Sequence, residues 1–239
     1  MLAAMYFWEG STNTIQLKCS MLTPILFDIV AITGLPPNGE IYNPNLESET
    51  QFKFDIATYG AYMNEHFDKD TTEVYDEEYI AFLTFWLCHC VFCSSSLQIA
   101  KKFVIMVIQI HEGHVFNLSK LLLGSLYGAI GTACQTMNTL AEGKTLVLSG
   151  PWWLLQLWLV ATFEKRLKFY TPPFHNYEIN GRRIKGVRLA NLKKRLTTCS
   201  TVEIFSQYFN VFSNCDTFES TMAHFADCKL GPKCFQRDV

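Results

Sequence analysis

Apolar positions run almost without interruption from Trp152 to Phe163, where Gln156 is the only polar residue before Thr162. Positions 152, 155, 159 and 163 make one helical stripe, and Trp153, Leu154, Leu157, Trp158 and Val160 fill the opposite side. A helix apolar all round is a buried helix. Pro151 suits its first turn, where the missing N–H has no intrahelical acceptor to lose. The pattern predicts a central core helix, with Trp152, Leu155, Leu159 and Phe163 packed against a helical hairpin over 79–112. The 13 apolar-rich residues of 151–163 give about 20 Å of helix against ~30 Å of bilayer core, which excludes a membrane span on length.

Other elements follow from punctuation. Met1 to Trp8 is apolar with no capping residue before it and reads as the last turns of a helix, so the chain reads as truncated at its N-terminus. Thr14 to Leu17 alternates like a short strand. Thr23-Pro24 predicts a helix start and Gly34, with Pro36 and Pro37 beyond, its stop. Residues 35–75 form an acidic connector with a weak helical patch from Phe54 to Phe67. Asp76-Glu77-Glu78 precedes a helix over 79–92, where negative charge suits the positive end of the dipole. Ser94-Ser95-Ser96 then caps a second helix over 97–112, stopped by Gly113, and the two should form an antiparallel hairpin.

A further helix begins at Asn117 or Ser119 and runs to about Ala133, with Gly124, Gly128 and Gly131 placed to admit a neighbouring backbone. Asn180-Gly181 predicts a small hairpin. Ser200 and Glu203 fit a capping box opening a helix through Asn210. The sum is a mainly α protein, a single globular helical domain over 1–239 with minor short β elements.

At 239 residues, 49% apolar and 14% aromatic, the chain has ample material for a core. Its net charge of −2 conceals segregation: residues 40–78 hold 11 of the 22 acids, whereas residues 165–195 hold 10 of the 20 bases and the single acid Glu178. Arg182, Arg183, Lys185, Arg188, Lys193, Lys194 and Arg195 are the one strong polar cluster, seven bases without an acid in 14 residues. Such a run is either a solvated face or a site for phosphate backbones or acidic partners, since charge alone attracts polyanions. The nine cysteines are scattered, several within apolar runs, and read as reduced thiols of an intracellular protein. No secretory leader pattern opens the chain.

Chemical motifs are weak. Cys88-His89-Cys90 with Cys93, Cys228 and Cys234 has zinc-ligand chemistry, but consecutive helical residues point 100° apart. His111-Glu112-Gly113-His114 has its histidines at i, i+3 with a helix-ending glycine between, whereas the zincin arrangement needs i, i+4 on one face. Gly143-Lys144-Thr145 lacks the upstream glycine of a phosphate loop. The residues thus predict no cofactor and no metal, and no catalytic residue is nominated.

Several long motifs carry a family likeness: Phe7-Trp8 with Ser11 to Ile15, Met21 to Pro24 with Asp28 to Pro36, Gly39-Glu40, the block from Tyr79 to Gly113, and Leu148 to Glu164. Together they resemble the plant mobile domain, also called aminotransferase-like, of the maintenance-of-meristems-like group. The resemblance implies nuclear roles in transposon silencing, gene expression and meristem maintenance, and protein partners, phosphatase-like ones among them. It supplies no catalytic residues to carry over. The chain stops soon after Phe235 with no phosphatase or transposase segment and reads as shortened there too. Three functions are compatible with these residues: a non-enzymatic nuclear interaction module, a transposon-encoded nucleic-acid-binding protein using the basic segment, and a pyridoxal-phosphate aminotransferase-like enzyme. The last is disfavoured because no alternation of strand and helix appears.

Overall fold

The chain opens with a helical turn and a strand meander. In the computed structural model, α1 (Leu2–Met5) buries Ala3, Ala4 and Met5, and β1 (Trp8–Glu9), β2 (Thr14–Gln16) and β3 (Met21–Leu22) pair antiparallel in sequence order, Trp8 opposite Ile15 and Ile15 opposite Leu22. The alternation predicted at 14–17 is therefore the middle strand, with Ile15 turned into the core. The structure describes residues 1–43, 45, 58–66, 72–94, 99–141, 144–167, 178–179, 182–190, 200–219 and 222–223, of which 178–179 and 182–183 by backbone alone.

Helix α2 (Leu26–Thr33) ends as expected at Gly34, whose φ of 77° is the left-handed conformation that favours glycine. Its start lies two residues later than Thr23-Pro24 predicts. The Thr23 hydroxyl instead donates to the Asn13 carbonyl at 2.8 Å and lies 2.9 Å from the Tyr127 hydroxyl, tying this turn to the meander and to a later helix. Asp28 does the capping, its carboxylate accepting from the Ile25 backbone N–H.

Helix α3 (Tyr59–His66) is the described part of the weak connector patch. The hairpin follows: α4 (Asp76–Trp86) continues into one π-helical turn (Leu87–Val91), and α5 (Lys101–His111) returns antiparallel, so that His111 reaches Asp76 and Phe103 stacks on Phe92. The acids occupy the first turn of α4 rather than preceding it. Gly113 adopts φ 98° just past α5.

Helix α6 (Leu118–Thr139) is capped by the Asn117 side chain, which accepts from the Lys120 N–H, and it runs six residues beyond the expected end. Thr136 and Thr139 hydroxyls bond back to carbonyls one turn earlier, and Met137 still packs on the core, which sustains the last turns. The expected close approach at its glycines does not occur: a Cβ at Gly124, Gly128 or Gly131 would meet nothing within 4 Å. Gly128 instead lines a cavity of about 290 Å³ between α5, α6 and residues 147–150.

The Trp-rich run is α7 (Trp152–Thr162), with Pro151 as its N-cap. Trp152, Leu155, Leu159 and Phe163 are all buried. Its main neighbours differ from the expected hairpin: they are α2, α6, α8 (Glu164–Leu167) and α9 (Gly186–Ala190). The hairpin meets its N-terminal end, where Trp153 Nε1 donates to the Val91 carbonyl at 2.9 Å. The contact with α2 carries a polar tie, the Trp158 indole N–H donating to Asp28 Oδ2 at 3.1 Å. Between α8 and α9, β4 (Glu178–Ile179) and β5 (Arg182–Arg183) form the hairpin expected around Asn180-Gly181. Helix α10 (Thr201–Ser213) starts with both halves of the Ser200–Glu203 capping box, and packs on α1. One contiguous cluster of buried side chains draws on elements from α1 to α10. The architecture is mainly α, with ten α-helices and two small antiparallel sheets among the described residues.

Candidate functional site

The seven bases of the basic segment do not share one environment. Arg182 and Arg183 form β5, opposite Ile179 and Glu178, while Lys193, Lys194 and Arg195 lie outside the described residues. Lys185 is half-buried; its backbone N–H donates to the Ala31 carbonyl at 2.9 Å. That contact docks α9 onto α2, and Gly186 permits it because a Cβ there would collide with the Ile32 carbonyl oxygen. Arg188 faces inward: its guanidinium grips the Glu164 carboxylate with two hydrogen bonds of 2.7 Å, the two side chains being 16% and 22% exposed. This forked pair holds α9 to α8, and the carboxylate keeps the guanidinium more firmly protonated than usual.

The run thus looks acid-free only along the sequence, since Arg188 finds its acid 24 residues upstream. Arg188→Ala should destabilise the fold by about 2 kcal/mol, through loss of a charge-assisted fork that leaves Glu164 unpaired. It should not alter the salt dependence of any duplex-DNA binding. Denaturant unfolding and salt-titrated DNA binding check both halves; a flattened salt slope in this variant would put Arg188 on a free basic face.

Among the described residues Asp28 is the one buried acid. It is 5% exposed, and its Oδ2 accepts from Ile25 N–H and from Trp158 Nε1, both at 3.1 Å. Burial pushes its carboxyl up to about 6, against the opposing pull of the two donors and of Lys185. The group ties α2 to α7, with the Lys185 charge just ahead of α9 acting on it.

The histidine and cysteine motifs disperse. His111 faces Asp76 at 3.7 Å, whereas His114 takes Glu40 at 3.1 Å, so the two rings serve different acids. Cys88 is buried in the π-helical turn, Cys90 is exposed, and Cys93 turns its thiol toward the Cys90 carbonyl. Cys228 and Cys234 lie outside the described residues. Among the described residues no three His, Cys, Asp or Glu side chains group as a metal site, and no helix is long and apolar enough to cross a membrane.

One surface stands apart. Tyr75, Tyr79, Phe82 and Trp86 are 54, 44, 59 and 42% exposed, in a line along the outside of α4. The opposite face of the same helix carries the buried Ile80, Ala81 and Thr84, continued by Leu87 and Cys88. Helix α4 is therefore apolar on both sides: among the described residues the inner side packs into the core, while the outer aromatics remain exposed, Tyr79 also meeting the His111 ring at 6.4 Å between centroids. Asp76, Glu77 and Glu78 lie in its first turn. The spacing 75, 79, 82, 86 was the available signal: it is a second helical stripe, easily overlooked when the segment is seen only as one arm of a hairpin. Contiguous exposed aromatics on a protein surface mark interaction sites rather than solvent faces.

Comparison with known proteins adds one finding. A family model, the plant mobile domain, matches residues 1–220. Neither the curated proteins nor the solved structures give a match.

Proposed function

Because the chain belongs to the plant mobile domain family, we propose that it is a non-enzymatic interaction module of the nucleus, serving transposon silencing, gene expression and meristem maintenance by recruiting a protein partner. The observation that carries this reading is the exposed aromatic line Tyr75, Tyr79, Phe82 and Trp86 beside the acidic first turn of α4. Tyr and Trp dominate binding energy at interfaces because they bury much area at small entropic cost. The acids select for a partner segment carrying Lys or Arg next to its apolar residues. Phosphatase-like proteins are the partner class that the family resemblance implies.

Affinity capture from plant nuclei tests this, with nuclease treatment as the second variable. The intact chain should retain a defined protein after nuclease digestion, and Phe82→Ser with Trp86→Ser should lose it. Each truncation of a central aromatic is worth about 2 kcal/mol, roughly thirtyfold in affinity. Both substitutions lie at exposed positions, so the thermal midpoint should move little. Release of all captured protein by nuclease, combined with loss of capture on changing Arg182, Arg183, Lys193, Lys194 and Arg195 to Ala, would instead make the chain a nucleic-acid binder. Retention that ignores the aromatic substitutions would remove the α4 surface from the function.

A further inference from the structure

We propose that Cys19 and Cys215 form an oxidisable dithiol, a site at which a hydroperoxide installs a disulfide joining the two ends of the fold. Cys19 sits between β2 and β3, and Cys215 follows the end of α10, 196 positions away in sequence. Their sulfurs are 3.7 Å apart. The Cys19 N–H donates to the Cys215 carbonyl at 3.2 Å, so the two backbones are in direct contact. Closing to a disulfide sulfur separation of about 2.05 Å then needs rotation about side-chain bonds rather than chain movement.

The surroundings fix both partners. Phe7 packs on Phe209 and Phe212, and Phe212 on Phe163, which locks the end of α10 beneath the meander. On the other side the Arg166 guanidinium donates to the Thr217 carbonyl and hydroxyl, and Lys165 meets Glu219 at 3.3 Å, pinning the segment that follows Cys215. Neither cysteine serves a metal or another thiol among the described residues.

The two thiols divide the labour. Cys215 is wholly buried, and burial, then the Cys19 sulfur, push its thiol up to about 11, so it is a poor first nucleophile. Cys19 is half-buried and within reach of a small oxidant. Its thiolate attacks the peroxide oxygen, the O–O bond breaks, and a sulfenic acid forms with release of hydroxide. The Cys215 sulfur then attacks the Cys19 sulfur and expels the oxygen as a second hydroxide; the proton from each thiol converts the two hydroxides to water. Two thiols are oxidised by two electrons and one peroxide is reduced to two waters.

The 239-residue chain, freed of reductant, is treated with equimolar hydrogen peroxide, alkylated and digested without reduction. The expected product is a peptide pair linked through Cys19 and Cys215, abolished by dithiothreitol. Because the link closes a loop of nearly 200 residues, the oxidised chain should melt roughly 10 °C higher than the reduced one. Cys19→Ser, at the less buried position, should lose both the link and the gain, while Cys90→Ser with Cys93→Ser should keep both. Recovery of Cys19 as sulfinic acid with Cys215 alkylated would overturn the proposal. So would a disulfide from Cys19 to any other cysteine, or an unchanged gain in the Cys19→Ser chain. The linked peptide is read on the unsubstituted protein and stands whatever the variants do to folding.

Discussion

Trp158→Ala should cost about 3–5 kcal/mol of folding stability and lower the thermal midpoint by roughly 10 °C. The indole is 3% exposed on α7, within the cluster shared with α2, α6 and α9. Truncation removes an aromatic side chain from a region where helices on several sides limit collapse into the space left. It also takes one of two donors from a buried carboxylate, since Trp158 Nε1 and Ile25 N–H both serve Asp28 Oδ2. Trp158→Phe separates the two losses: it keeps most of the volume and drops the N–H, for about 1–3 kcal/mol. Gln156→Ala, at the exposed position of the same helix, should cost almost nothing. Denaturant unfolding followed by circular dichroism gives all three values, and a Trp158→Ala loss below about 1 kcal/mol would mean that the helix is peripheral.

The contrast between Trp158 and Gln156 also marks what local sequence can disclose. Helix α7, the stop at Gly34, the Ser200–Glu203 capping box and the hairpin flanking Asn180-Gly181 depend on residues within a few positions of one another, and each was legible. The start of α2 was misplaced because Thr23 is held by Asn13 and Tyr127, contacts that span 10 and 104 positions. Packing partners depend on such separations almost entirely. The contact of α7 with α2 includes the Asp28–Trp158 bond, 130 residues apart. The inward turn of Arg188 follows from Glu164, which stands one residue outside the basic window that seemed so distinctive. The glycines of α6 were expected to admit a neighbour, yet face open space, because spacing says which residues share a face and not what that face meets.

Candidate function divides along the same line. Charge segregation is visible in the sequence, but whether a base is free is a tertiary fact, and of the seven only Lys185 and Arg188 have described side chains. The α4 line was visible as a periodicity and became meaningful only once the opposite face was seen to be filled by Ile80, Ala81 and Thr84. The Cys19–Cys215 contact had no sequence signal at all, since the two residues belong to opposite ends of the chain.

Asp28 should impose a pH dependence opposite to that of most carboxylates. Its carboxyl is held at about 6 in the folded chain against an ordinary value of about 3.9. Between these values the folded state binds the proton and the unfolded state does not, so stability falls as pH rises. The contribution is complete below about pH 4 and is lost as pH passes 6, a change of ~3 kcal/mol across that window. Asp28→Asn isolates the effect. Both donors address Oδ2, so an amide oxygen in that place can accept from Ile25 and Trp158 together, and the substituted group carries no charge at any pH. Unfolding free energies of the two chains should therefore nearly coincide at pH 4.5 and diverge toward pH 7.5, where the Asn variant should be the more stable. Other titrating groups contribute alike to both and cancel in the difference. A gap that stays constant with pH would place the Asp28 carboxylate in a far more polar setting than the contact of α2 with α7 provides.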